Sequence, residues 1–253
     1  MESTAVPLYL DWQFWSAIAA LVAIVLSQLP PVYLWFRPRR LEVEVHSRIQ
    51  ITHWVGNPNL GIVVSIRNTG GRALRIRSIS MALVRDNIDL GVFPVQNYFE
   101  TPASQSPSLF VPFELKPGET WAHGANFLRF FDRATEKLFR EKESVLRIDI
   151  RKKLDARPKG DDSIVEAEPD HIKPFLDLFE KLFIWQPGEY VLTLRVDAEP
   201  GSASFTRKYR FTLYESDNVE LRSHTDEYKF GGGISYKVDR HAGLLIPLTQ
   251  HEG

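Results

Sequence analysis

The chain contains no cysteine in 253 residues. That excludes a disulfide framework, a thiolate zinc site, an iron–sulfur cluster and a cysteine nucleophile. It also lacks an excess of either charge: 31 Lys and Arg stand against 32 Asp and Glu. No net field favours nucleic acid or an acidic substrate, so nucleic acid is not an expected partner. There is no Asn-x-Ser/Thr sequon, no Walker loop, no Gly-x-Ser-x-Gly elbow and no His-x-His or His-Glu-x-x-His pair. No catalytic residue, metal ligand or cofactor is therefore expected. Apolar residues make up 43% and charged residues 25%, which is ordinary for a chain with one sizeable core.

Charge is locally absent as well. From Trp12 to Phe36 there is none, and Ala17 to Leu26 is a run of Ala, Leu, Val and Ile. Trp12 and Trp15 flank one end and Tyr33 and Trp35 the other, as an interfacial aromatic belt would. Residues 13–36 are expected to form a single transmembrane helix that ends near Pro30–Pro31. Residues 1–13 hold no Lys or Arg and no Ala-x-Ala site follows Leu26, against a cleaved signal peptide. Ala17, Ala20 and Ala23 are spaced to admit a neighbouring helix. The basic linker at 37–40, with Arg37, Arg39 and Arg40, follows an N-terminal tail (1–12) that carries only Glu2 and Asp11. The positive-inside rule then places the N-terminus outside and the large domain in the cytoplasm.

Beyond the linker the period changes to two. Leu41, Val43 and Val45 alternate with Glu42, Glu44 and His46, and Ile49 and Ile51 alternate with Gln50 and Thr52. Leu60–Thr69 and Ala73–Val84 flank Gly70–Gly71 as a hairpin would. The inward phase slips between Ile76 and Ile79, which predicts a bulge. Lys116-Pro117-Gly118-Glu119 and Gln186-Pro187-Gly188-Glu189 have type II turn chemistry, and the second opens the alternating run Tyr190–Asp197. Another strand follows at Phe205–Tyr214.

Three segments carry a family likeness: the strand ending in Asn68-Thr69-Gly70, the Leu115-Lys116-Pro117-Gly118-Glu119 turn and the Trp185-Gln186-Pro187-Gly188-Glu189-Tyr190 turn. On these, residues 41–215 resemble the immunoglobulin-like β-sandwiches of the bacterial adhesion and fibronectin-like kind, without the cysteine pair of antibody domains. The resemblance implies a mainly β, antiparallel sandwich and no particular function.

Two amphipathic helices interrupt the strands, as an insertion over about 127–184. One is expected at 127–143, with Phe127, Phe131, Ala134 and Leu138 on its stripe. The other is expected at 171–184, with Asp170 as its N-cap and Ile172, Phe175, Phe179, Leu182 and Phe183 inward. Asp155–Pro169 reads as a polar loop, and 216–253 as an extension with a last strand near Gly243–Leu248.

Two surface features suggest contacts. Arg67, Arg75 and Arg77, with Arg72 at the turn and Arg85 beyond, form a face for anionic lipid headgroups. Phe130 and Phe139 exceed what one helical stripe needs and are candidates for docking on a partner or on the bilayer. His46 and His53 fall on opposite faces of a strand, which disfavours a shared metal. His224-Thr225-Asp226 and the triple glycine at 231–233 read as turns. The expected function is a non-enzymatic, single-pass membrane subunit whose sandwich binds or scaffolds other protein subunits beside the membrane. A second expectation is an envelope-facing sandwich that binds a glycan or small ligand. A third is a membrane-tethered hydrolase using Asp161, Asp162 or His171.

Overall fold

In the computed structural model the residues described are 12–28, 37–101, 103–158, 160–161, 163–234 and 243–251. The apolar run forms α1, Trp12–Gln28, a helix of 17 residues. At about 1.5 Å per residue it spans about 26 Å, short of a hydrocarbon core of roughly 30 Å. Among the described residues no helix is long and apolar enough to cross a membrane. This overturns the single-pass membrane reading and the cytoplasmic placement that rested on it. Trp12 and Trp15 lie on α1 and are solvent-exposed, while Tyr33, Trp35 and the Pro30–Pro31 pair lie outside the described residues.

Among the described residues twelve strands follow: β1 (Leu41–Val45), β2 (Arg48–Trp54), β3 (Asn57–Asn68), β4 (Leu74–Arg85), β5 (Ile88–Phe99), β6 (Ser108–Leu109), β7 (Phe113–Leu115), β8 (Thr120–Leu128), β9 (Gly188–Glu199), β10 (Phe205–Leu213), β11 (Leu244–Pro247) and β12 (Thr249–Gln250). They join one antiparallel sheet in the order β11-β2-β3-β8-β5-β4-β9-β10-β12, with β1 on β3, β6 on β5 and β7 on β4. The expected two-sheet immunoglobulin-like sandwich is replaced by a nearly closed, barrel-like sheet. Two features cause this. Strand β5 pairs β4 through Ile88–Pro94 and then pairs β8 from Val95 to Phe99, with a register shift between Val95 and Asn97 just after the change of partner. A bulge bends a strand and lets it turn the corner between layers. At the opposite side the consecutive strands β11 and β12 pair β2 and β10 respectively, so the C-terminal segment bridges the two open edges.

The Gly70–Gly71 segment is likewise not a hairpin, because β3 and β4 do not pair. It is an arch held by Asn68, which is fully buried. The Asn68 amide donates to the carbonyls of Arg72 (2.9 Å) and Leu115 (2.8 Å) and accepts from the Gly70 N–H (2.9 Å). The first Pro-Gly-Glu turn closes as expected, with Gly118 at φ +83° and Glu119 N donating to the Lys116 carbonyl at 3.0 Å. The bulge expected in β4 is present between Ile76 and Ser78.

Inside, Ile49, Ile51, Leu60, Val64 and Ile66 meet Leu74, Ile79, Met81, Leu83, Leu192, Leu194 and Val196, all buried. Helices α2 (Arg133–Asp155), α3 (Pro169–Leu182) and α4 (Glu215–Ser223) and the 3₁₀ segment His224–Phe230 cap one end. The first helix differs from its expected position. Phe127 is the core end of β8, and α2 starts only at the Asp132 cap, whose carboxylate accepts from Thr135 N. That start sets the buried stripe as Thr135, Phe139, Leu146 and Ile150, leaving Leu138 exposed. Helix α2 also runs well past the expected end at residue 143. Pro169 opens α3, where its missing N–H costs nothing, with Glu168 rather than Asp170 at the cap.

Candidate functional site

The outer face of β2, β3, β8 and β5 carries few large side chains, for reasons of sequence. Cross-strand register aligns Leu245, Gln50, Gly61, Asn126 and Asn97 in one row over β11, β2, β3, β8 and β5. The neighbouring row aligns Val63, Gly124 and Phe99. Gly61 and Gly124 put no side chain on the sheet there, and the space above Gly124 is open. The result is a groove of about 260 Å³ lined by Arg48, Gln50, Gly61, Val63, Phe99 and Asn126 among others. It continues over Val63, Phe99 and Gly124 into a second depression of about 470 Å³ beside Glu100, Thr101, Ser104 and His123.

The chemistry of this groove is that of side-chain amides on a glycine floor. A methyl group placed on Gly61 would lie 3.2 Å from Gln50 Oε1 and 3.3 Å from Asn126 Oδ1, so both amides converge over that glycine. One placed on Gly124 would meet nothing within 4 Å. Asn126 is oriented by donating to Asn97 Oδ1 at 2.7 Å. The Asn59 Oδ1, two residues along the same face, is buried without a hydrogen-bond partner among the described residues. Each amide offers donors and an acceptor in one plane. Val63, half exposed, and Phe99 supply the apolar wall. The ionisable groups sit at the ends, His46 and Arg48 at one and Glu100 and His123 at the other. His46 Nδ1 accepts from Arg48 N at 3.1 Å, and the His123 ring contacts the Glu100 carbonyl at 3.2 Å.

The residues singled out from sequence fall elsewhere. Among the five arginines, Arg77 and Arg85 hold a carboxylate. Arg67 stands opposite Glu42, Arg75 opposite Glu114 and Glu199, and Arg77 grips Glu199 with two hydrogen bonds of 3.1 and 2.7 Å. Arg72 lies in the arch, and Arg85 pairs with Asp86 at 3.8 Å. Arg39 and Arg40 are exposed, and the Arg40 carbonyl accepts from Thr69 N at 3.0 Å. Arg37 joins Arg67, Asn68 and Gly118 around a separate hollow of about 380 Å³. Phe130 is 75% exposed as a docking residue must be, whereas Phe139 is 3% exposed and packs on Trp54, Phe131 and Phe175. Phe139 is a core residue; the phase of α2 turns it inward.

The ionisable loop considered for hydrolysis has structural roles. Asp161 accepts from Ser163 N at 2.9 Å, and that hydrogen bond holds its carboxyl below the usual range. Asp162 lies outside the described residues. His171 is on α3, near the Asp149–Lys153–Glu168 ion network. The Glu168 hydrogen bond pushes the Lys153 ammonium up, against partial desolvation. His53 and His224 are both buried, with ring centroids 4.9 Å apart. His53 joins β2 to α4 through the Leu221 carbonyl (2.8 Å) and accepts from Gly56 N at 3.1 Å. Gly56, at φ +80°, is required at this turn, because a side chain there would strike the backbone of Phe179. Among the described residues no group of three or more His, Asp or Glu is placed to hold a metal ion.

No protein family and no curated protein matches this sequence. Among solved structures, the ApaA protein from Bordetella pertussis matches at 14% identity with a TM-score of 0.29, covering 70% of this chain and 94% of that one. A similarity of that size carries no conclusion about fold or function. The groove itself rests on glycines that sequence reading passed over. The available signal was glycine in the interior of two strands, which marks a place where another group approaches the backbone closely.

Proposed function

We propose that this chain is a non-enzymatic recognition module that binds a neutral carbohydrate chain across the outer face of β2, β3, β8 and β5. The observation that carries this reading is the convergence of the Gln50 and Asn126 amides over Gly61. Sugar hydroxyls both donate and accept, and planar amides match that pattern without the desolvation cost of a charge. A pyranose ring also presents a C–H face, for which Phe99 and Val63 provide an apolar wall beside the open floor at Gly124. The groove continues into the second depression through Val63, Phe99 and Gly124, which suits a chain rather than a single compact molecule.

The test is calorimetric titration of the protein with maltopentaose, cellopentaose and chitopentaose, repeated for Gly124→Tyr and Asn126→Ala. Binding of one pentasaccharide, weakened at least tenfold in both variants, supports the reading. Binding of none, or binding that both variants retain, overturns it.

A further inference from the structure

Among the described residues the nearly closed sheet leaves a seam that the C-terminal segment fills in part. On one side stand β1 and β2, which follow each other along the same edge of β3. On the other stands β10. The C-terminal segment enters this opening as an added strand. It pairs β2 from Leu244 to Pro247, passes Leu248 N to the Ser47 carbonyl (2.7 Å), and then pairs β10 at Arg210 and Tyr209. Its last described bond is His251 N to the Lys208 carbonyl at 3.0 Å. Beyond it the edges of β1 and of Phe205–Arg207 face each other across about 380 Å³, lined by Arg40, Leu41, Glu42, Val43, Glu44, Thr69, Phe205 and Arg207. Among the described residues neither edge has a ladder partner there.

One side chain defines what would fit. Arg207 shares the inward face of β10 with Phe205, Tyr209 and Phe211 and is half-buried. Its guanidinium lies 4.9 Å from the Phe205 ring centroid and beside Tyr209, yet it has no carboxylate partner among the described residues. Glu42 and Glu44 point to the opposite, exposed face of β1. A partly buried cation without a counter-charge is a costly arrangement that an incoming carboxylate relieves. Two unpaired edges are a template for strand addition.

We infer that this seam accepts an extended segment of a partner protein as an added strand, with an acidic side chain turned inward to Arg207. It continues the path that the C-terminal strand of this chain already takes between the same two edges. The site is separate from the glycine-floored groove, and neither depends on the other.

The probe is a capped hexapeptide, Val-Thr-Val-Glu-Val-Thr, titrated by fluorescence anisotropy against the full chain, with hydrogen exchange read at Leu41–Val45 and Phe205–Arg207. Expected results are saturable binding, slowed exchange at those amides, and at least tenfold weaker binding of the peptide with Lys in place of Glu. Arg207→Glu reverses the preference, so a charge swap restores binding to the Lys peptide. A Glu peptide N-methylated on alternate residues keeps every side chain but loses ladder donors, and it fails to bind. Absence of binding, equal binding of the Glu and Lys peptides, or unchanged binding after N-methylation would overturn the inference. So would slowed exchange at the same amides that follows protein concentration without peptide, which would assign the seam to a second copy of this chain.

Discussion

Two outer faces of the same sheet solve the problem of polar surface in opposite ways. On β4 and β9 the exposed positions carry charge, and two contacts cross the strands: Arg77 grips Glu199, and Ser78 donates to Asp197 at 2.6 Å. On β2, β3 and β8 the corresponding positions are Gln50, Gly61, Asn126, Val63 and Gly124, all neutral, with open space above Gly124. The first face ties part of its polar surface into its own side-chain contacts. The second leaves amide groups directed at solvent over a floor without side chains. The face whose groove has amides rather than charges at its centre carries the recognition reading.

The comparison breaks first if the open face loses its support. Trp185 is fully buried beneath β2 and donates to the Thr52 carbonyl at 2.9 Å. Trp185→Ala is expected to cost about 4 kcal/mol in urea unfolding, as large-to-small changes at full burial do. Asn68→Ala takes the side-chain donor from the buried Leu115 carbonyl and from the part-buried Arg72 carbonyl and is expected to cost about 2–3 kcal/mol. On the paired side of the sheet, burial pushes the Tyr190 phenol up to about 12, with Arg85 acting in the opposite direction. A raised folded pKa favours the protonated form. This contribution to stability is therefore complete below the reference value of 10.0 and is lost as pH rises towards about 12. Unfolding measured across that range should fall off, and Tyr190→Phe should flatten the decline.

Smaller changes sharpen the contrast between the faces. Gly124→Tyr fills open space, so unfolding stability should change by less than about 1 kcal/mol while carbohydrate binding falls. Arg77→Ala removes an ion pair whose side chains are 62% and 48% exposed and should cost under about 1 kcal/mol, with no effect on carbohydrate binding.

Much of the strand content was legible because one-sided burial imposes period two: Leu41 and Val43, Tyr190–Asp197 and the slip at Ile76 all appear as read. Closure was not legible. It depends on β5 changing partners between Pro94 and Val95 and on a C-terminal segment bridging two distant edges, and neither leaves a local pattern. The rotation of α2 followed from where Asp132 caps it, which moved Phe139 into the core and Leu138 out. The apolar run Ala17–Leu26 gave a helix whose described length falls short of a membrane span. The candidate groove escaped notice because its defining feature is the absence of side chains at Gly61 and Gly124.

The most direct test of the central claim is an amide-resolved NMR titration of the whole chain with the three pentasaccharides. The account predicts shifts confined to Gln50, Gly61, Val63, Phe99, Gly124 and Asn126, with the Arg75–Ser80 and Arg195–Glu199 amides unmoved. Shifts on the arginine–carboxylate face instead, or none at saturating sugar, would contradict it.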